Sequence, residues 1–72
     1  MKPKEYKAVR EALDWTHLRV AKTLGVSRRV PYRYQNGEVD IPEPAARLLR
    51  LLVLLRYTMS ERKFNDIVNQ LR

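Results

Sequence analysis

Arg28, Arg29 and Arg33 fall within six residues, with Tyr32 in the same stretch. Each guanidinium is permanently charged and offers a planar fork of N–H donors, which fits phosphate oxygens or the O6 and N7 edge of guanine. Arg29 and Arg33 stand four apart, as do Arg28 and Tyr32, so on a helix they form two adjacent outward rows. A helix carrying such rows into a DNA major groove would discriminate by roughly 1–3 kcal/mol at each bidentate contact. Tyr32 would either donate its hydroxyl to a phosphate or rest on a thymine methyl group. Solvated surface charge is the bland alternative, and crowding three arginines into six residues speaks against it.

Those side chains need two helices to position them. Thr16 is placed to cap a helix that Gly25 ends, and Ser27 to cap a second that closes at Asn36-Gly37. Hydroxyl oxygens satisfy the free N–H groups of a helix start, and Gly or Asn tolerates the left-handed turn at its end. Only Gly25 and Val26 separate the first helix from the cap of the second, so the pair must turn sharply into a helix-turn-helix over residues 16–36. Val20, Ala21 and Leu24 are expected inside on the first helix, and Val30 and Tyr34 on the second, with Val26 beside them. Thr16, His17, Arg19, Lys22, Ser27 and Asn36 are then expected at phosphates, with Thr23 also outward. His17 lies at the positive end of its helix, where N–H groups already favour an anion.

The chain has 72 residues, no cysteine and one histidine, which excludes disulfides and leaves no metal-ligand set. One small domain is expected, near the size at which a core needs good packing or a partner chain. Fifteen basic residues face eight acidic ones, a net charge of +7. Residues 1–36 hold nine basic and three acidic groups and residues 37–72 six and five, so the excess sits with the motif. Such a patch attracts polyanions. The N-terminus is charged rather than apolar, and the longest apolar run, Leu48 to Leu55, is broken by Arg50. A secretory signal and a membrane span are therefore not expected, and a cytoplasmic protein, nucleoid-associated when on DNA, is.

Residues Thr16, His17, Ala21, Gly25-Val26-Ser27 and Asn36-Gly37 resemble the helix-turn-helix of the phage repressor/Cro (XRE-like) family, over roughly residues 4–56. The resemblance implies an all-α, five-helix lambda-repressor-like domain without cofactor or small-molecule substrate. It also implies that Arg28, Arg29 and Arg33 read bases, that His17 replaces a phosphate-binding Gln, and that the loop Val39–Pro44 approaches phosphate. By analogy of size, such a chain is similar to phage or mobile-element regulators, including anti-CRISPR-associated repressors and antitoxins that repress their own operons. Pro31 departs from the pattern, standing where a β-branched core residue is usual. It removes an intrahelical bond and crowds the Ser27 carbonyl, so the first turn should be loosened or re-angled, with helix from Tyr32 onward.

The remaining elements are a first helix, about Pro3 to Leu13, with Tyr6, Val9 and Leu13 at helical spacing and Ala12 beside them, and two C-terminal helices over residues 44–71. Trp15 is expected to staple onto Val20 as a core anchor. The fourth helix is apolar around most of its circumference, and the fifth, capped by Ser60, carries Phe64, Ile67, Val68 and Leu71 on one stripe. Leu48, Leu52, Leu55, Phe64, Ile67, Val68 and Leu71 are therefore assigned to a homodimer interface, against the alternative of an intramolecular cap. The function read from this pattern is a homodimeric repressor on double-stranded DNA, its recognition helix 27–36 meeting a palindromic operator. The alternative is an antitoxin-type module binding a partner protein through its Leu-rich half. RNA binding lacks enough free aromatic surface. An enzyme lacks a nucleophile–base–acid set.

Overall fold

The computed structural model describes residues 1–71. Five helices follow one another: α1 (Pro3–Leu13), α2 (His17–Leu24), α3 (Val30–Asn36), α4 (Glu43–Thr58) and α5 (Glu61–Gln70). No strand occurs among the described residues, and none of their helices is long and apolar enough to cross a membrane. The first three helices end alike. A residue at positive φ (Asp14 at 57°, Gly25 at 74°, Gly37 at 74°) turns the chain, and the next N–H reaches back five residues to the helix. Those bonds run from Trp15 to the Arg10 carbonyl, from Val26 to Ala21 and from Glu38 to Arg33, at 3.1, 3.0 and 2.9 Å. They satisfy carbonyls that the helix ends would otherwise orphan. Nothing lies within 4 Å of a Cβ built on Gly25, so that position needs glycine for its backbone angle alone.

The start of α3 differs from the expectation. Ser27 does not cap a helix running from residue 27; its Oγ accepts the Arg29 N–H at 3.3 Å, and residues 28 and 29 form a turn. The Ser27 carbonyl takes the Val30 N–H at 3.0 Å, and the α-helix begins at Val30. Pro31 is the cause. Beginning the helix there puts its ring in the first turn, where a missing N–H costs nothing. Pro31 is fully buried, so it fills the core place that a β-branched side chain would hold. Residues 32–36 are helical, as expected.

The core runs through Tyr6, Leu13, Trp15, Val20, Tyr34, Ile41, Ala46, Leu49, Leu52, Phe64 and Val68. Tyr6 meets Tyr34 edge-on, with centroids 5.9 Å apart and planes at 72°, and Trp15 lies 6.0 Å from Phe64. This corrects part of the interface assignment. Leu52, Phe64 and Val68 are buried within the chain itself, because α5 folds back over α4 and covers them. Leu48, Leu55 and Ile67 are half-buried, and Leu71 is exposed. The outer side of α4 instead presents Leu51 and Leu54, 51% and 64% exposed.

Thr23, expected outside, is buried and donates its hydroxyl to the Arg19 carbonyl at 2.9 Å. Arg50 grips Glu5 through two bonds of 3.0 and 3.3 Å, joining α4 to α1, and this contact holds the Glu5 carboxyl below its ordinary range. Both side chains are about two-fifths exposed, so the pair steers helix placement more than it stabilises the fold.

Phe64→Ala should cost about 3–5 kcal/mol of folding free energy in urea denaturation, whereas Arg47→Ala and Arg62→Ala, on the exposed sides of α4 and α5, should each stay within about 0.5 kcal/mol. Equal losses would contradict this division of α4 and α5 into buried and open sides.

Candidate nucleic-acid interface

α3 has only seven residues, too few to hold itself together in water. It is fastened from within. Pro31 and Tyr34 are buried, and the Tyr34 ring packs against Tyr6 of α1. Arg10 adds a polar clamp: one terminal nitrogen donates to the Trp15 carbonyl at 3.0 Å, the other to Gln35 Oε1 at 3.4 Å. With that face held, Arg28, Arg29, Tyr32, Arg33 and Asn36 are all exposed on the opposite side. All four residues assigned to base reading are exposed, and three of them, Arg28, Arg29 and Tyr32, line one recess. Two of them, Arg28 and Arg29, stand on the turn before the helix rather than on its first turn.

His17 is not the free side chain expected. Its ring is half-buried between two tyrosines, 5.9 Å from Tyr6 at a nearly parallel 14° and 4.2 Å from Tyr32 at 40°. Its Nδ1 pairs with the Tyr6 hydroxyl at 3.0 Å, leaving only Nε2 for an outside partner. Burial, and secondarily the Arg10 charge, pushes the imidazole below its ordinary value of 6.5. Burial also pushes the Tyr6 phenol up to about 12. At neutral pH both rings are uncharged, and His17 props Tyr32 from behind.

Arg19 also departs from its assignment. Its terminal nitrogen donates to Asn65 Oδ1 at 2.9 Å, and its guanidinium carbon lies 4.9 Å from the centre of the Trp15 ring. It braces α2 against α5 instead of reaching freely outward. Lys22 is exposed, as are Thr16 and Ser27. The Thr16 Oγ accepts the Arg19 N–H at 3.2 Å and the Ser27 Oγ that of Arg29, so both hydroxyl protons remain to be donated to a phosphate.

Two shallow recesses open on this side. One, about 330 Å³, is lined by Leu18, Arg28, Arg29 and Tyr32. The other, about 430 Å³, is lined by Thr16, Leu18, Arg19, Lys22, Asn65 and Asn69. They share Leu18, and neither is lined by an acidic side chain. Their combined surface can hold a polyanion along the cations while meeting something apolar at Leu18 and Tyr32. Leu18, Asn65 and Asn69 were missed from sequence. Leu18 alone had a signal: it falls off the Val20–Ala21–Leu24 stripe, an apolar residue out of phase with its helix.

Because His17 protonates less readily when folded, its share of stability is whole above about pH 6.5 and is lost as pH falls below that value. The urea midpoint should decline as pH falls below about 6.5, and His17→Gln should flatten that decline; an unchanged slope would show that the imidazole is freely solvated. No family model, curated protein or solved structure matches this chain.

Proposed function

We propose that the chain is a sequence-specific DNA-binding regulator of transcription, with α2 and α3 as a helix-turn-helix in a lambda-repressor-like fold. The observation that carries this reading is the set of four exposed side chains, Arg28, Arg29, Tyr32 and Arg33, on a short element fastened from behind by Pro31 and Tyr34. A seven-residue helix is about 10 Å long, and the major groove is about 12 Å wide. Arg28, Arg29 and Arg33 offer forks to guanine edges. Lys22, Thr16, Ser27, Asn36 and the Nε2 of His17 take phosphates, with Arg19 stiffening that flank. The phosphate contacts supply affinity that falls with salt, and the forks supply choice of sequence.

The open strip on α4, Leu51 and Leu54 with half-buried Leu48 and Leu55, is proposed to meet the same strip of a second copy. A two-fold pair would present two α3 helices to half-sites about one DNA turn, roughly 34 Å, apart. Occupying a promoter is then enough to repress it, with no catalytic step. Exposed Tyr57 beside the strip, 77% accessible, favours a second reading in which α4 holds a different protein, as an antitoxin does. Purification as a symmetric dimer supports the first; recovery only with an unlike partner supports the second.

Selection of bound sequences from random duplexes should return an inverted repeat, and a pool that stays random would refute the regulator reading. On the selected site, Arg33→Ala or Arg29→Ala should cost roughly 1–3 kcal/mol and relax one base position, with a smaller loss on random DNA. Leu54→Asp should leave the helical content intact, convert the dimer to monomer in light scattering, and weaken palindrome binding more than half-site binding. A surviving dimer would place the interface elsewhere.

A further inference from the structure

We propose that the recess between α2 and the Arg28–Arg29 turn is a seat for the C5-methyl group of a pyrimidine lying next to a guanine; this rests on the DNA-binding reading above. Its lining is mixed in an informative way. Leu18 is 48% exposed and Tyr32 57%, and both stand among cations instead of under the core. Leu18 is the second residue of α2, displaced from the buried Val20–Ala21 side, and it takes no part in the hydrophobic core. Tyr32 is backed by the His17 ring at 4.2 Å, which in turn is pinned by Tyr6, so the aromatic wall is held at a fixed angle. Arg28 and Arg29 complete the recess.

A phosphate alone would leave Leu18 and the tyrosine face uncovered. An apolar ligand alone would strand two guanidiniums. The major-groove edge of a methylated pyrimidine beside guanine meets both demands, because it sets a methyl group next to the O6 and N7 acceptors. Thymine carries that methyl group, and so does 5-methylcytosine. Leu18 and the Tyr32 ring take the methyl, and the Arg28 or Arg29 fork takes the guanine. Leu18 is thereby a specificity-determining residue outside α3.

The test uses the full chain and a duplex selected from a random pool. Each thymine is replaced in turn by deoxyuridine, which removes only the methyl group. In a second arm, cytosine beside guanine is compared with 5-methylcytosine at the same place. Removing one methyl per half-site should weaken wild-type binding about fourfold per contact, the worth of one buried methyl-sized group. Leu18→Ala should bind the thymine and uracil duplexes alike, and Leu18→Met, which keeps an apolar tip, should retain the difference. Leu18 is half outside the core, so both variants should keep the wild-type helical signal in circular dichroism. A methyl response in either arm that is lost in Leu18→Ala supports the seat and names the base. A selected site with no methyl response at any position, or one that persists in Leu18→Ala, overturns the seat while leaving the regulator reading intact. A pool that yields no sequence overturns both.

Discussion

The Tyr6 ring joins three helices, and the candidate surface depends on that junction. It sits on α1 with none of its surface exposed, meets Tyr34 of α3 edge-on, and stacks on His17 of α2, whose Nδ1 its hydroxyl engages. A buried phenol without a partner would be destabilising; here the imidazole satisfies it. The consequence for α3 is decisive. Seven residues cannot form a helix alone, so its direction is set by what Tyr34 and Pro31 are buried against. The arginines face outward because that inward face is occupied. Arg10 reinforces the same junction from the polar side, touching the backbone at Trp15 and the side chain of Gln35.

The chain divides its labour along its length. Its first half carries most of the excess positive charge and the open cationic face, and its second half supplies much of the apolar mass. α4 contributes Ala46, Leu49 and Leu52 to the core, and α5 covers it with Phe64 and Val68. Trp15 joins the two halves, with Phe64 on one side and the Arg19 guanidinium near its ring. Arg19 and Asn65 then carry that support to the outer flank of α2. The fifth helix, read from sequence as part of a dimer interface, thus helps to mount the cationic surface.

Much of this was legible in the residues. Thr16, Ser60, Gly25 and Gly37 mark helix ends because their chemistry at those places is local, and the structure uses all four as read. Tyr34 reads as inward from its four-residue spacing to Val30, and Trp15 from its place just before the Thr16 cap. Ser27 is a good cap in isolation, but the proline four residues later outweighs it and α3 begins at Val30. Asp14 gave no warning of its left-handed turn, since aspartate adopts that angle only occasionally. The roles of His17 and Arg19 could not be read locally: their partners, Tyr6 and Asn65, lie 11 and 46 residues away. Periodicity on α4 and α5 showed which stripes are apolar but not what covers them. Leu52, Phe64 and Val68 thus read as an interface in sequence, whereas in the structure they close the core.

We propose that the side chains of Arg28, Arg29, Arg33 and Tyr32, held outward by the Tyr6 junction, form a surface that meets duplex DNA. The most direct measurement is a nuclear magnetic resonance titration of the isotopically labelled protein with short duplex, following arginine side-chain N–H and tyrosine ring signals. The expected result is that Arg28, Arg29, Arg33 and Tyr32 shift and broaden first, while Tyr57 and Arg62 stay in place. Shifts concentrated on α4 and α5, with the signals of residues 28–33 unmoved, would contradict it.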